Sequence, residues 1–318
     1  MKELPRTPSR AVAGPTRATV AVIGLGSVGG VAAGCLQEAG RHDVVGCSRR
    51  AIDRLTVERP EGTVDIPLRT LTDPAEAEPA DWVILCTKAH DTVSAAAWLT
   101  RLCGPSTRVA VLQNGIGHIA SVNRIVADAT VVPAIVYYNG ERLGVDRVRL
   151  RHVAADDIVV PDDAAGQAFA RLFDGTSLGV SVSADFTTLL WKKLLLNVVA
   201  NPITALTRQR QAVLRRPDIH ALSRAVLDEA IAVARADGAL LAADEVEQTI
   251  SKLLTFPPEA GTSMYFDCLA GRPLEVEALT GAIVTLGERH AIPTPVNSAL
   301  LALLRAINDG VRTADHDR

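Results

Sequence analysis

Apolar positions along the chain follow two patterns, and the change between them falls near Ser183. Before that point, short continuous apolar runs at residues 18–23, 43–47, 82–86 and 108–112 alternate with helix-like stretches. Such runs are typical of buried parallel strands. After Asp185 the strand-like runs stop, and helical periodicity fills residues 187–200, 218–237, 242–255, 274–290 and 296–308. The pattern predicts an α/β domain followed by an all-α domain.

The predicted boundaries divide the chain into three parts. Residues 1–18 form a loose tail, residues 19–183 a dinucleotide-binding domain and residues 184–318 an all-helical substrate and catalytic domain. A chain of 318 residues suits two domains, at about 100–200 residues each.

Some of the weaker patterns also give predictions. Residues 131–138 would continue the sheet, and residues 147–153 and 157–160 would be antiparallel strands. Residues 261–267 would be a loop that enters a helix, and the stretch from Gly271 would start the next helix, with Glu275 in its first turn.

Three glycines follow the first predicted strand with the spacing GxGxxG. Gly24, Gly26 and Gly29 lie between that strand and a predicted helix at 28–39, and a second strand follows at 43–47. In a βαβ unit this motif turns the chain, lets a pyrophosphate approach the backbone and lets helix and strand pack closely. The N–H groups of the helix start then face the phosphates. The context therefore favours dinucleotide binding over a purely structural turn.

The end of the second strand bears on the choice between NAD and NADP. NAD enzymes usually place an acidic residue there to bind the ribose 2′-hydroxyl. This chain has Ser48, Arg49 and Arg50 at that point, and its first carboxylate is Asp53. Guanidinium groups suit a 2′-phosphate, although a pair of surface arginines would look the same. The pattern favours NADP.

Residues 191–204, WKKLLLNVVANPIT, predict a helix that ends near Pro202. Lys193, Asn197 and Asn201 are four residues apart, so they share one face of that helix. Polar groups in so apolar a helix need partners. Either a bound ligand or bulk water could supply them.

Two further polar clusters follow predicted strands. Lys88 comes shortly after the strand at 82–86, and residues 113–117, QNGIG, follow the strand at 108–112. In doubly wound sheets, ligands bind beyond the carboxyl ends of the strands. We therefore expect Lys88 to meet a cofactor or substrate oxygen, unless it is simply a solvated lysine at a helix start.

Composition excludes several classes of partner. Aromatic residues make up 3% of the chain, the formal net charge is −3 and no long basic run occurs, so nucleic acid and anionic membranes are not expected partners. Five cysteines show no zinc or CxxC spacing, which indicates buried thiols in a reducing compartment. With no apolar leader and no apolar run long enough to span a bilayer, a cytoplasmic location is expected. No side-chain cluster has the spacing of metal ligands.

Several stretches together resemble the ketopantoate (2-dehydropantoate) reductase family across nearly the whole chain beyond the tail. They are GLGSVG, CTKAHD, LQNGIG, WKKLLLNVVANPITAL, TSMYFD followed by GRPLEVEALTG, and ERHAIPTPVN. The resemblance implies a Rossmann-like NADP-binding domain followed by an all-α domain, as in 6-phosphogluconate dehydrogenase, with the active site in the cleft between them.

The resemblance also implies an activity and roles for particular residues. The activity is NADPH-dependent reduction of 2-dehydropantoate to (R)-pantoate, on the route to pantothenate and coenzyme A. Lys193, rather than Lys192, would stabilise and protonate the alkoxide, and Glu275 would orient Lys193 or bind a cofactor hydroxyl. The implied substrate-binding residues are Asn114, Asn197, Asn201 and Ser263. The implied cofactor-binding residues are Gly24, Leu25, Gly26, Ser27, Val28, Gly29, Arg49, Lys88, Asn114 and Glu275.

Some positions depart from the family's pattern and keep alternatives open. Thr280 and Gln211 stand where the family often has asparagine, and Tyr265 and Phe266 replace a smaller or more polar pair. One alternative is therefore a paralogous NADPH-dependent reductase of another branched 2-oxo acid. A non-catalytic NADP-binding sensor has no reason to keep the amine of Lys193. A dehydrogenase of the 6-phosphogluconate type disagrees with the NPIT and SMYFD stretches. A homodimer is compatible with the resemblance.

Overall fold

A computed structural model describes residues 17–127 and 129–316 of the protein. Residues 1–16 of the expected tail lie outside this described part. Within it, no helix combines the length and the apolar character that crossing a membrane requires.

The strands fall before residue 184. In chain order they are β1 (Thr19–Ile23), β2 (Asp43–Cys47), β3 (Arg54–Arg59), β4 (Gly62–Pro67), β5 (Arg69–Leu71), β6 (Trp82–Leu85), β7 (Arg108–Val111), β8 (Thr130–Pro133), β9 (Ile135–Val136), β10 (Asn139–Arg142), β11 (Arg147–Arg151), β12 (Ile158–Pro161) and β13 (Val180–Ser183).

The helices occur in both halves but dominate the second. In chain order they are α1 (Ser27–Ala39), α2 (Ala96–Leu102), α3 (His118–Asn123), α4 (Ala164–Leu172), α5 (Phe186–Thr207), α6 (Pro217–Ala236), α7 (Glu245–Thr255), α8 (Ser263–Leu269), α9 (Thr280–Arg289) and α10 (Pro295–His316). Short 3₁₀ turns lie at Pro74–Glu76, Ala89–Asp91 and Gln211–Arg215.

A parallel sheet with the strand order β5-β2-β1-β6-β7-β8 forms the centre of the first half. Its inner strands are apolar on both faces because helices cover both sides, and Val20, Ala21 and Val22 of β1 are fully buried. The order reverses at β1, which pairs with both β2 and β6. The crevice beyond the carboxyl ends of β1 and β6 is therefore where a doubly wound fold binds its ligand.

Two smaller sheets have the orders β10-β11-β3-β4 and β13-β12-β9. The strands expected at residues 147–153 and 157–160 are present, and each has one antiparallel and one parallel partner, in two different sheets. β11 pairs with β10 and β3, whereas β12 pairs with β13 and β9. Residues 131–138 also divide between two sheets, since β8 extends the parallel sheet and β9 joins β12. Alternation along one strand does not identify its partner.

The central helix of the second half, α5, runs from Phe186 to Thr207 and does not end near Pro202 as expected. A proline inside a helix removes a backbone hydrogen bond. Here Thr204 Oγ1 donates to the Ala200 carbonyl at 2.7 Å, and residues 198–205 around the proline are all buried. Tertiary burial thus outweighs the local preference for a break.

The segment after Gly271 also differs from the expectation. Residues 272–275 have no regular secondary structure, residues 276–279 form turns, and α9 begins only at Thr280. Glu275 therefore does not lie in the first turn of a helix. The strand β13 ends at Ser183 and α5 begins at Phe186, which is the position of the change in sequence pattern.

Candidate active site

The glycine loop after β1 has the geometry that dinucleotide binding requires. Gly24 has a φ of +92°, and a Cβ on Gly29 would lie 2.0 Å from the Gly24 carbonyl oxygen. A Cβ on Gly26 would meet nothing within 4 Å, so the space beside the backbone is open. The loop leads directly into α1, whose first turn has no side-chain cap. These residues fit a pyrophosphate held by the helix start.

The other predicted loop residues have both packing and backbone roles. Leu25 covers Gly46 of β2, where an added Cβ would lie 2.6 Å from a Leu25 methyl group. The Val28 carbonyl accepts a hydrogen bond from the Tyr138 hydroxyl at 2.8 Å, and the Ser27 carbonyl lies against Gly140. The loop is therefore held from both sides.

At the end of β2, Arg49 and Arg50 are both exposed. Ser48 Oγ donates to the Arg50 carbonyl at 2.5 Å, which tightens the turn after the strand. The guanidinium of Arg49 is bound by no protein group in the described part of the chain, so it is available to an anion at this edge of the sheet.

Lys193 lies where α5 meets the loops of the parallel sheet. Its Nζ donates to Asn114 Oδ1 at 3.1 Å and to the Val136 carbonyl oxygen, and it lies 5.7 Å from the centre of the Tyr137 ring. Burial lowers the pKa of Lys193 to about 8, with the carboxylate of Glu275 acting in the opposite direction. An amine with such a pKa can donate a proton near neutral pH and be recharged by solvent.

The predicted stripe on α5 is present, with its members in different surroundings. Asn197 lines a small cavity together with Lys193, Asn114 and Gln113. Asn201 is buried, with 5% of its surface exposed. Asn201 makes no side-chain hydrogen bond within the described residues, which leaves its amide available to a ligand.

Lys88 and Glu275 meet across the cleft between the two halves. Lys88 Nζ lies 3.0 Å from Glu275 Oε2 and 3.1 Å from Asp267 Oδ2, while the Ala89 N–H donates to Glu275 Oε1 at 3.0 Å. Burial disfavours the charged amine, but Glu275 and Asp267 outweigh it, so the pKa of Lys88 is raised. The carboxylate of Glu275 thus binds Lys88 directly, and it acts on Lys193 only through its charge.

Ser263 lies at the first position of α8 and is exposed. Thr262 caps this helix by accepting from the Tyr265 N–H at 3.0 Å, and its hydroxyl lies 2.8 Å from Thr204 Oγ1 of α5. The guanidinium of Arg210 lies over the rings of Tyr265 and Phe266. The aromatic pair that departs from the family pattern is therefore one turn away from Ser263.

Sequence reasoning missed two residues of this site. Asp267 holds Lys88 and also accepts from Arg272 at 2.9 Å, and its i+4 spacing from Ser263 was the available signal. His118 Nε2 lies 2.7 Å from the Asn114 carbonyl oxygen, and burial lowers the pKa of this imidazole. No pattern in the sequence indicates that histidine.

A larger cleft of about 800 Å³ lies on the other side of Glu275, between α3 and α9–α10. Its charged side chains have both signs, including Arg124, Arg289 and Glu277, and neither Lys193 nor Asn197 lines it. The reactive groups therefore lie in the smaller cavity. There the amine of Lys193 lies beside the amides of Asn114 and Asn197, where it could reach a carbonyl compound. The glycine loop that fits a dinucleotide lies outside this cavity, at the end of β1.

Comparison with known proteins gives the same family for both halves of the chain. The family model "Ketopantoate reductase PanE/ApbA" matches residues 20–164, and "Ketopantoate reductase PanE/ApbA C terminal" matches residues 185–308. The 2-dehydropantoate 2-reductase of Mycobacterium tuberculosis is 40% identical over 293 residues, which cover 92% of this chain and 98% of the relative.

Solved structures agree with these sequence matches. A ketopantoate reductase from Ralstonia eutropha has a TM-score of 0.83 at 32% identity, and a dimeric one from Staphylococcus aureus has 0.81 at 29%. Both matches cover 92% of this chain and 99% of the other. The expected fold class is confirmed, and family and fold together imply a nicotinamide cofactor. The chain belongs to the ketopantoate reductase family.

Proposed function

We propose that this protein reduces 2-dehydropantoate to (R)-pantoate with NADPH. The observation that carries the proposal is the amine of Lys193, which is partly buried on α5 and bonded to Asn114 just after the carboxyl end of β7. The activity printed for its relatives, 2-dehydropantoate 2-reductase, is the reaction that such an amine would serve.

The protein's part in the reaction is positioning and proton transfer. When bound, the reduced nicotinamide supplies the hydride. Lys193 stabilises the negative charge that develops on the substrate's carbonyl oxygen and then donates its Nζ proton to that oxygen. Asn114 Oδ1 keeps the amine directed into the cavity, at 3.1 Å. Oxidation of pantoate would use the neutral amine as the base.

Substrate recognition is assigned to the polar groups around Lys193. The amides of Asn197 and Asn201 share its face of α5 and would bind the carboxylate and the hydroxyl side of the substrate. Ser263, exposed at the start of α8, would donate to the carboxylate. Asn114 would contact both the substrate and the cofactor.

Cofactor recognition is assigned to the opposite wall. Gly24, Gly26 and Gly29 would hold the pyrophosphate together with Leu25, Ser27 and Val28. Arg49 would bind a 2′-phosphate, which supports NADP over NAD. Lys88 and Glu275, which bind each other across the cleft, would exchange part of that contact for cofactor oxygens.

The proposal includes the division of the chain and its assembly. Residues 19–183 would be the dinucleotide-binding domain and residues 184–318 the catalytic helical domain. A homodimer is proposed because the Staphylococcus aureus relative is dimeric. Light scattering on the purified protein tests the assembly.

The activity is tested by loss of NADPH absorbance with a panel of 2-oxo acids. We expect 2-dehydropantoate to give the highest kcat/KM. The matched analogue 3,3-dimethyl-2-oxobutanoate lacks only the hydroxyl, and we expect it to be at least ~100-fold poorer, because it leaves buried amides unpaired.

Another branched 2-oxo acid is the second candidate, because Gln211, Tyr265 and Phe266 depart from the family pattern. A higher kcat/KM for such an acid would transfer the assignment to it. Absence of turnover with every member of the panel, together with NADPH binding, would support the sensor instead.

A further inference from the structure

The side chain of Gln113 joins the two loops that carry the proposed site. It is buried, with 7% of its surface exposed. Its Nε2 donates to the Thr87 carbonyl at 2.8 Å and to Thr92 Oγ1 at 3.1 Å, and it lies 3.5 Å from the Lys88 carbonyl. One amide nitrogen therefore binds both ends of the turn that carries Lys88.

The orientation of this amide is fixed by its partners. A backbone carbonyl only accepts hydrogen bonds, so the group that faces Thr87 must be the NH₂ and not the oxygen. The other end of the amide, Oε1, is buried and has no hydrogen-bond partner among the described residues. An unpaired buried oxygen lowers stability by about 1–3 kcal/mol. The hydrogen bonds of the NH₂ group to the turn accompany this cost.

Because Gln113 precedes Asn114 in the chain, its bonds link the Lys88 turn to the loop that contacts Lys193. The next residue, Asn114, accepts from Lys193 Nζ at 3.1 Å. Lys88, on the turn that Gln113 holds, reaches Glu275 and Asp267 on the other side of the cleft. A shift of the turn relative to Asn114 would change the separation of the two amines. Displacements of about 1 Å can cost about 100-fold in rate.

We propose that Gln113 is a positioning residue of the reductase, whose side-chain amide fixes the Lys88 turn relative to Asn114 and Lys193. It acts through these neighbours and needs no contact with substrate. The inference rests on the proposed function for its kinetic readout. It concerns a residue that none of the expected site roles includes.

The first test compares Gln113→Met, which removes the amide at nearly constant volume, with Thr107→Val. Thr107 is a matched control because it is 2% exposed and its hydroxyl donates to the Ala80 carbonyl at 2.7 Å, at the amino end of β7. Both variants should lose thermal stability. Only Gln113→Met should lower kcat, by about 10- to 100-fold, with a smaller change in KM. Equal kinetic constants in the two variants would overturn the inference.

The second test uses Gln113→Glu and pH. The new carboxylate would repel the Thr87 carbonyl, whereas its protonated form would offer an O–H in place of the lost N–H. We expect kcat of this variant to recover towards the wild-type value as pH falls, while Gln113→Met shows no such recovery. A structural role alone would not produce this difference, and parallel pH profiles would contradict the proposal.

The third test asks whether Gln113 acts through the Lys88 turn. In a Lys88→Ala background, Gln113→Met should reduce kcat by a smaller factor than in the wild type, because the group that it positions is gone. Equal factors in both backgrounds would overturn the inference. If the wild-type protein fails to reduce 2-dehydropantoate, the proposed function is wrong, but the inference about Gln113 can still be tested. The role of Gln113 is then tested by the affinity for NADPH, measured by calorimetry. We expect this affinity to weaken several-fold in Gln113→Met and to stay unchanged in Thr107→Val, and equal affinities in the two variants would overturn the inference.

Discussion

Lys192 and Lys193 are neighbours in the chain, but each meets a different partner. Lys193 points to Asn114, whereas Lys192 Nζ lies 3.5 Å from Glu245 Oε2. The side chain of Lys192 is 42% exposed and that of Glu245 only 4%. Lys192 is therefore more than a solvated surface charge, because α7 places a buried carboxylate beside it.

The two lysines should separate catalysis from stability. Lys193→Ala should lower kcat by about 10²–10⁴, the usual contribution of a general acid, while NADPH still binds. Lys192→Ala should keep near-normal kcat but lose about 1–3 kcal/mol of stability, less than for a fully buried pair, because Glu245 loses its cation. Steady-state kinetics and chemical denaturation of both variants check this. If Lys192→Ala were inactive instead, the catalytic lysine would be Lys192, one residue earlier in α5 than we assign it.

The pKa of Lys193 gives the reduction a defined pH dependence. With burial lowering that pKa to about 8, the amine carries its proton below pH 8 and loses it above. Since ketone reduction consumes this proton, kcat/KM for reduction should be level below pH 8 and fall about tenfold per unit above it. Oxidation of pantoate should show the opposite slope. Lys193→Ala should remove the break near pH 8 from the residual rate, and its persistence there would assign the break to another group.

Glu275 and Glu277 allow the same substitution in two surroundings. Glu275→Gln keeps an acceptor for the Ala89 N–H but places an NH₂ against the Lys88 ammonium. We expect turnover to fall by at least about 10-fold with little loss of melting temperature, since Asp267 still holds Lys88. Glu277→Gln, which breaks only an exposed pair with Arg305 at 2.7 Å, should leave turnover unchanged. If Glu275→Gln had normal turnover and a lowered melting temperature, the role of Glu275 would be structural and not catalytic.

The conformation and placement of single residues could be predicted where spacing alone determines them. Gly24, Gly29 and the shared face of Lys193 and Asn197 follow from local chain geometry, and the structure has them so. The bonds of Lys88 to Asp267 and Glu275 could not be predicted, because they join positions 179 and 187 residues apart. Such contacts depend on how the two halves meet, which no local period describes.

At the scale of elements, the end of β2 has a position that the sequence predicts, and the arginines that follow it bear on the choice between NADPH and NADH. The strand pairs in parallel with β1 from Asp43 to Cys47, so its last residue lies beside the glycine loop. Arg49 and Arg50 follow it and are exposed. Two guanidinium groups therefore lie just after this strand, where the ribose of a dinucleotide would bind.

Arg49→Ala should therefore weaken NADPH binding and spare NADH. The expected loss for NADPH is about 1.5–3 kcal/mol, the value of a charge-assisted hydrogen bond, and NADH affinity should be nearly unchanged. Arg171→Ala, which removes an exposed arginine on α4, is the control for net charge. Isothermal titration calorimetry with both cofactors measures the difference, and equal losses for NADPH and NADH would remove Arg49 from 2′-phosphate recognition.

Among the other elements, α1 and α6 agree closely with their sequence patterns, and α5 and the Glu275 segment do not. Gly40, at a φ of +65°, ends α1 as its sequence suggests. Pro202 fails to end α5 because the helix is packed against α6, α7 and α8. The segment of Glu275 is not helical, and it makes contacts across the cleft instead, including the Ala89 N–H to Glu275 Oε1 at 3.0 Å and the Ile116 N–H to the Ala278 carbonyl at 3.3 Å.

At the scale of the whole molecule, an apolar cluster spans the position where the sequence pattern changes. Phe186 at the start of α5 packs with Ile135 of β9 and Val159 of β12, and Leu189 and Leu190 lie against them. The polar contacts of Lys88 and Lys193 cross the same cleft. Shared apolar burial together with these bonds should make the two halves unfold as one unit.

Calorimetry with a matched pair of variants tests this coupling. The wild type should show one transition whose calorimetric and van't Hoff enthalpies agree. Phe186→Ala should cost about 3–5 kcal/mol and split or broaden the transition, because it opens the cluster that both halves share. Phe169→Ala removes an equally large ring from a core confined to the first half, so it should lower stability by a similar amount without producing two transitions. Two transitions in the wild type itself would show that the halves are already independent, and the contacts across the cleft would then serve the site rather than the stability of the fold.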